Sequence, residues 1–122
     1  MDDEPKPVRW TGSALADLRT FPRPVLRDIG QALYAAQRGE EYPSVKALKG
    51  FGGRSVLEIV ASYDGGTWRV VYTVRFAGVI YVLHAFAKKS VKGRATPLKE
   101  IRLIRRRLAE AERDHRERNE TP

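Results

Sequence analysis

The stretch VLHAFAKKS, residues Val82 to Ser90, ends an apolar run with a histidine, an aromatic and two adjacent lysines. His84 carries an imidazole, a group that can give or take a proton. Strict alternation along a strand sets it on one face with Val82 and Phe86. A histidine in an apolar strand serves as readily as a structural residue with both ring nitrogens hydrogen-bonded, and the sequence leaves both readings open. Lys88 and Lys89 either meet a phosphate or guard a strand end against aggregation. Further along, Lys92, Arg94, Lys99, Arg102, Arg105, Arg106 and Arg107 follow, and only Glu100 opposes them.

The segment from His84 to Arg107 therefore carries +8, the net charge of the whole chain, and the remainder sums to zero. Charge concentrated in this way is the footprint expected for a phosphate backbone. The alternatives are a solvated basic helix face and a docking surface for an acidic protein. Nucleic acid is the preferred partner class.

With 122 residues the chain suits one domain, residues 1–122, with about 1–7 and 115–122 as flexible ends. It has no cysteine, hence no disulfide framework, and its two histidines lie too far apart in sequence to suggest a metal site. The start, MDDEPKPVRW, lacks the apolar core of a signal peptide, and no apolar run is long enough to span a bilayer. The expectation is a soluble, cytoplasmic protein with no membrane segment, metal or small-molecule cofactor.

The elements that would position these residues follow from periodicity. KPVRW is a short first strand. TGSALADLRTF starts a helix with Ser13 as its cap. PRPVLRDIGQALYAAQRG is a second helix: Pro24 suits its first turn, Val25, Ile29, Leu33 and Ala36 form a stripe, and Gly39 ends it. EYPSVKALKGFGGR is a loop carrying Lys46 and Lys49. Then the period changes to two. SVLEIVAS and TWRVVYTV flank the turn YDGG, and VIYVLHAF is apolar on both faces, hence central. Thr96-Pro97 opens a last helix with Leu98, Ile101, Ile104, Leu108 and Ala111 on one stripe; its polar tail reads as a fraying end. The order β-α-α-β-β-β-α predicts an α+β domain: a helical hairpin on a small, mainly antiparallel sheet, plus a C-terminal helix.

VKALKGFGG, LEIVASYDGGTWRVVYTV, VIYVLHAFAKKSVKG and the basic helix from TPLKEI occur here in order. They resemble the RelE/ParE superfamily of toxins, most nearly its phage-derived, HigB-like (Gp49-like) branch, over roughly Val45 to Ile104. The resemblance implies the toxin of a type II toxin–antitoxin pair: a ribosome-dependent, metal-free mRNA endonuclease, with a DNA gyrase inhibitor as the ParE-like alternative. A non-catalytic binder of RNA or antitoxin is a third reading. The implied partners are a helix-turn-helix antitoxin, the ribosome and mRNA.

Residue by residue, the resemblance implies that Arg69 contacts the scissile phosphate, as a planar guanidinium can. It implies that Lys88 and Lys89 supply a cation near the transition state, and that Lys46 and Lys49 line the path of the RNA. Lys92 and Arg94 continue the basic run toward the phosphates. Arg69 and Lys89 are expected at the surface, although Arg69 could instead pair with Glu58 across the hairpin. The sequence departs from the pattern in two places. Glu58 and Val60 stand where the best-known members have lysines, and no tyrosine follows the Lys-Lys pair. Glu58 is a candidate general base, and His84 a candidate acid or base.

Overall fold

A computed structural model describes residues 4–88 and 96–120. The order is β1 (Val8–Trp10), α1 (Ala14–Leu18), α2 (Arg23–Gln37), β2 (Val45–Ala47), β3 (Val56–Tyr63), β4 (Gly66–Thr73), β5 (Ile80–Lys88) and α3 (Leu98–Glu120). The strands form one sheet in the order β1-β5-β4-β3-β2. Among the described residues only the β1–β5 pairing is parallel. The domain is α+β, as the periodicities predict.

The sheet is covered on both faces. Leu57, Ile59, Val70, Tyr72, Ile80 and Val82 pack against Ala14, Val25, Ile29 and Leu33 of α1 and α2. On the opposite face Val56, Val71, Tyr81 and Leu83 meet Ile104, Leu108 and Ala111 of α3. β5 thus lies between β1 and β4 with both faces buried, which is why it reads as continuously apolar. At the β3–β4 turn, Asp64 and Gly65 both take positive φ (50° and 81°), the geometry that an Asp-Gly dipeptide favours in a two-residue hairpin.

Several local expectations are corrected. Part of the predicted Lys46 loop is the edge strand β2, whose three residues are too few for alternation to register. Ser13 precedes α1 but makes no capping bond; its hydroxyl donates to Asp17 at 2.8 Å. Thr96 turns its hydroxyl to Glu58 at 3.1 Å. α3 runs on through Glu120, with an Asp114–Arg118 ion pair one turn apart at 2.8 Å.

The alternation of β5 is broken at one point. Val71 of β4 pairs with His84 while the next residue, Tyr72, pairs with Val82, so Leu83 is the extra residue of a β-bulge. The bulge turns both Leu83 and His84 toward α3. His84 therefore shares a face with Phe86, as expected, but not with Val82, which packs under α1 and α2.

Candidate RNA-binding cleft

The polar residues on the α3 face fall into two connected groups. In the first, Glu58 of β3 is the hub. Its Oε1 accepts from Arg69 Nη1 at 3.2 Å, its Oε2 accepts from the Thr96 hydroxyl at 3.1 Å, and Lys46 Nζ stands 4.0 Å from Oε1. Register explains the geometry. Lys46 is directly opposite Glu58 on the β2–β3 ladder, while Arg69 faces Val60 and reaches Glu58 on the diagonal. Glu58 and Arg69 are almost fully buried, at 1% and 2% exposure. The expectation of a surface Arg69 is thereby corrected: its partner lies inside the sheet–helix interface, and alternation alone cannot tell a covered polar face from an open one.

The second group surrounds the bulge. His84 Nε2 lies 2.7 Å from Glu100 Oε1, and its Nδ1 lies 3.4 Å from Arg107 Nη1. A guanidinium only donates, so this arrangement fits a ring with its lone pair on Nδ1 and its proton on Nε2, pointing at Glu100. Phe86 stacks on the imidazole with centroids 4.8 Å apart. With both nitrogens engaged and the ring buried, His84 here joins β5 to α3.

Arg107 was counted with the basic cluster but belongs to the core. It donates to the Leu83 carbonyl at 3.0 Å and to Ser13 Oγ at 3.1 Å. Thr11 Oγ1 reaches the Val82 and Leu83 carbonyls, each at 3.2 Å, so two side chains, Thr11 and Arg107, serve the Leu83 carbonyl at the bulge. Gly12 makes room for this: a Cβ there would stand 2.7 Å from Arg107 Nε.

Between β2 and the start of α3 opens a cleft of about 400 Å³. Ala47, Leu48 and Ile101 form its walls, Glu58 and Thr96 its floor, and Lys46 and Lys49 its mouth. On the flank of α3, Arg102 and Arg105 are exposed; Arg105 donates to the Gly50 carbonyl at 2.8 Å and lies over the Phe51 ring at 4.5 Å, tying the helix to the loop after β2. Both carboxylates near the cleft, Glu58 and Glu100, are engaged by internal partners, so the mouth presents cations.

Of the predicted site residues, the fold gathers Lys46, Glu58, Arg69 and His84 on one face, and Lys46, Glu58 and Lys49 line the cleft. Lys88 lies four residues beyond His84, roughly 13 Å along the strand at the rise of an extended chain. Lys89, Lys92 and Arg94 lie outside the described residues. Thr96, just ahead of α3, and Ile101 within it also line the cleft; the sequence marks them only as a helix opener and a member of the apolar stripe, and nothing in their types or spacing signals that role. Among the described residues no cluster of His, Asp or Glu could hold a metal ion, and no helix is long and apolar enough to cross a membrane.

The family model described as phage-derived protein Gp49-like matches residues 16–109, from α1 into α3. The chain belongs to the Gp49-like family. Among solved structures, this Gp49-like protein is similar to a chain of the RelBE2 toxin–antitoxin complex from Mycobacterium tuberculosis, at 20% identity and TM-score 0.46, covering 73% of this chain and 100% of that one. It is also similar to a free mutant of the Escherichia coli toxin RelE, at 16% identity and TM-score 0.49, covering 74% and 88%. A search of curated proteins finds no significant match.

Proposed function

We propose that this Gp49-like protein is the toxin of a type II toxin–antitoxin pair, and that its cleft engages mRNA on the ribosome for metal-free cleavage. The observation that carries the reading is the cleft's charge: Lys46 and Lys49 line it, Arg102 and Arg105 are exposed on the neighbouring helix α3, and Glu58 is paired with Arg69 while Glu100 is hydrogen-bonded to His84. A single strand drawn across such a mouth is held mainly through its phosphates. The RNA 2′-OH attacks the adjacent phosphorus and the P–O5′ bond breaks, giving a 2′,3′-cyclic phosphate and a 5′-hydroxyl; the 2′-OH proton is lost to water and the leaving 5′-oxygen gains one from it, while Lys46 and Lys49 offset the charge that builds on the phosphate. Arg69 acts indirectly, by fixing Glu58. An antitoxin with an acidic segment would cover the same cations.

The test is mRNA cleavage on programmed ribosomes, with translation followed in cells after induction. Protein synthesis should fail before DNA synthesis, and Lys46→Ala/Lys49→Ala should relieve the arrest. A double variant as toxic as the parent would remove the cleft from the mechanism.

One observation favours a second reading, a non-cleaving toxin directed at DNA gyrase. The arginine and histidine implied as catalytic are both buried and engaged internally. Replication failing before translation would select it.

A further inference from the structure

The cleft is unlike a simple anion site. A pocket for phosphate alone would be floored by donors, whereas this one is floored by a carboxylate. Its walls are aliphatic and its mouth is cationic, so three kinds of surface follow one another from Glu58 outward. A nucleotide has the same sequence of parts: a hydrogen-bonding edge, a flat apolar ring and an anionic phosphate. A volume of about 400 Å³ is within the range of small-ligand pockets.

The floor also discriminates among bases. A carboxylate offers about four lone-pair sites and no donor. Arg69 and Thr96 each occupy one, on opposite oxygens, which leaves one on each oxygen for a ligand. Guanine presents two adjacent donors, N1–H and the 2-amino group, spaced to meet both oxygens. Adenine and cytosine set a ring lone pair beside their amino group, against the carboxylate. Uracil has one N–H between two carbonyl oxygens. We propose that the cleft binds a guanine nucleotide, its Watson–Crick edge on Glu58 and its phosphate at Lys46 and Lys49. Resting on the RNA-directed reading, this gives that reading a base preference.

Burial sharpens the selection. Glu58 is 1% exposed, and the Thr96 hydroxyl covers Oε2. For the base to meet both oxygens the half-buried Thr96 hydroxyl must turn off Oε2, and the exposed Lys46 must swing from Glu58 to the phosphate. Arg69 holds the carboxylate in place meanwhile. A wrong base would leave buried polar groups unmatched, and that mismatch is what separates ligands in such sites.

The experiment is calorimetric titration of the intact protein with guanosine, inosine and adenosine monophosphates and with inorganic phosphate. Inosine lacks only the 2-amino donor, so it should bind on the order of tenfold more weakly than guanosine monophosphate, the worth of one hydrogen bond to a charged group. Adenosine monophosphate should bind more weakly still. Glu58→Gln presents one donor and one acceptor, matching adenine, and should move the preference toward adenosine monophosphate. If that variant does not fold, the wild-type series decides alone. Equal affinities for guanosine and adenosine monophosphates, inorganic phosphate binding as tightly as either, or no binding of any probe overturns the proposal. Selective guanine binding without mRNA cleavage would remove the nuclease reading and leave this one standing; cleavage without base selection would do the reverse.

Discussion

Glu58 and Arg69 form a diagonal ion pair across the β3–β4 hairpin, 3.2 Å apart, with their side chains 1% and 3% exposed. An ion pair so enclosed is costly to break from one side, because the remaining charge keeps its desolvation penalty without its partner. Arg69→Ala should lower unfolding stability by about 3–5 kcal/mol. Glu58→Met/Arg69→Met should cost less than the two single changes summed, since neither orphan is left. Urea denaturation of wild type, Arg69→Ala, the two single methionine variants and the double variant measures this. A stability for Arg69→Ala within about 0.5 kcal/mol of wild type, the scale of a surface substitution, would contradict the buried pair.

Tyr72 supplies an opposite case. Its ring is wholly buried, and among the described residues its hydroxyl has no hydrogen-bond partner. Burial pushes the phenol up to about 12, the Glu41 charge adds to the rise and Arg54 opposes it. In the unfolded chain the phenol ionises near 10.0. The folded value is the higher one, so this contribution to stability is complete below pH 10 and is lost as pH climbs toward 12. Tyr72→Phe removes an unpartnered hydroxyl, so at neutral pH it should be neutral or stabilising by up to about 1 kcal/mol. The variant should also lose less stability than wild type between pH 10 and 12. Melting curves across that interval decide it; a strongly destabilised Tyr72→Phe would mean that the hydroxyl has a partner.

What the sequence made legible was set by length and periodicity. The Asp-Gly turn and the two eight-residue strands that it joins are specified locally, as is the stripe of α2. β2 was missed because three residues cannot establish a period. The bulge at Leu83 was missed because the residues leading into it, Val79 to Val82, are all apolar, so either register reads alike. That single inserted residue reverses where Val82 points and aims His84 at Glu100. Arg69 and Arg107 were read as surface cations because charge normally signals exposure; the Glu58 partner of Arg69 was open as an alternative across the hairpin, but the burial of that pair was not legible, and the Ser13 partner of Arg107 lies far off in sequence beside α1. Lys46 and Lys49, which line the mouth of the cleft, stood out in the sequence only as basic residues of a loop, and its far wall and part of its floor come from Ile101 and Thr96, which carry no local signal of that role.

The bulge depends on Arg107, and its removal should be felt there first. Arg107→Met leaves the Leu83 carbonyl without that donor, a loss of roughly 1–3 kcal/mol for a buried polar group. Gly12→Ala should act on the same contact, because its Cβ would collide with the guanidinium and its φ of +51° disfavours a side chain. The two effects should be less than additive, since both remove one interaction. Amide exchange at residues 82–85 would report the loosening. Full additivity would show that Gly12 serves the turn alone.

His84→Gln separates a structural histidine from a catalytic one. The ring joins Glu100 to Arg107, and glutamine offers one donor and one acceptor but cannot keep both contacts or the stack on Phe86. A loss of about 1–3 kcal/mol is expected, with RNA binding and any cleavage per folded molecule retained. Normal stability with abolished cleavage would reverse the assignment.

Lys46 and Lys49 are exposed, so replacing them should leave stability within about 0.5 kcal/mol of wild type. On the proposed function, their replacement should act on RNA affinity and its dependence on salt. Each phosphate contact to a single strand contributes about 0.7 to the slope of log affinity against log salt, because one condensed counterion is released. Lys46→Ala/Lys49→Ala should therefore lower that slope by roughly 1.4 for a single-stranded RNA, if each lysine meets one phosphate. Arg105→Ala is the informative contrast. That side chain is committed to the Gly50 carbonyl and the Phe51 ring, so its loss should loosen the loop after β2 more than it changes the slope. Fluorescence anisotropy over a range of salt, with thermal melts of each variant, gives both quantities. A slope unchanged in the double lysine variant would move the RNA path off this cleft, toward the basic residues beyond Lys88.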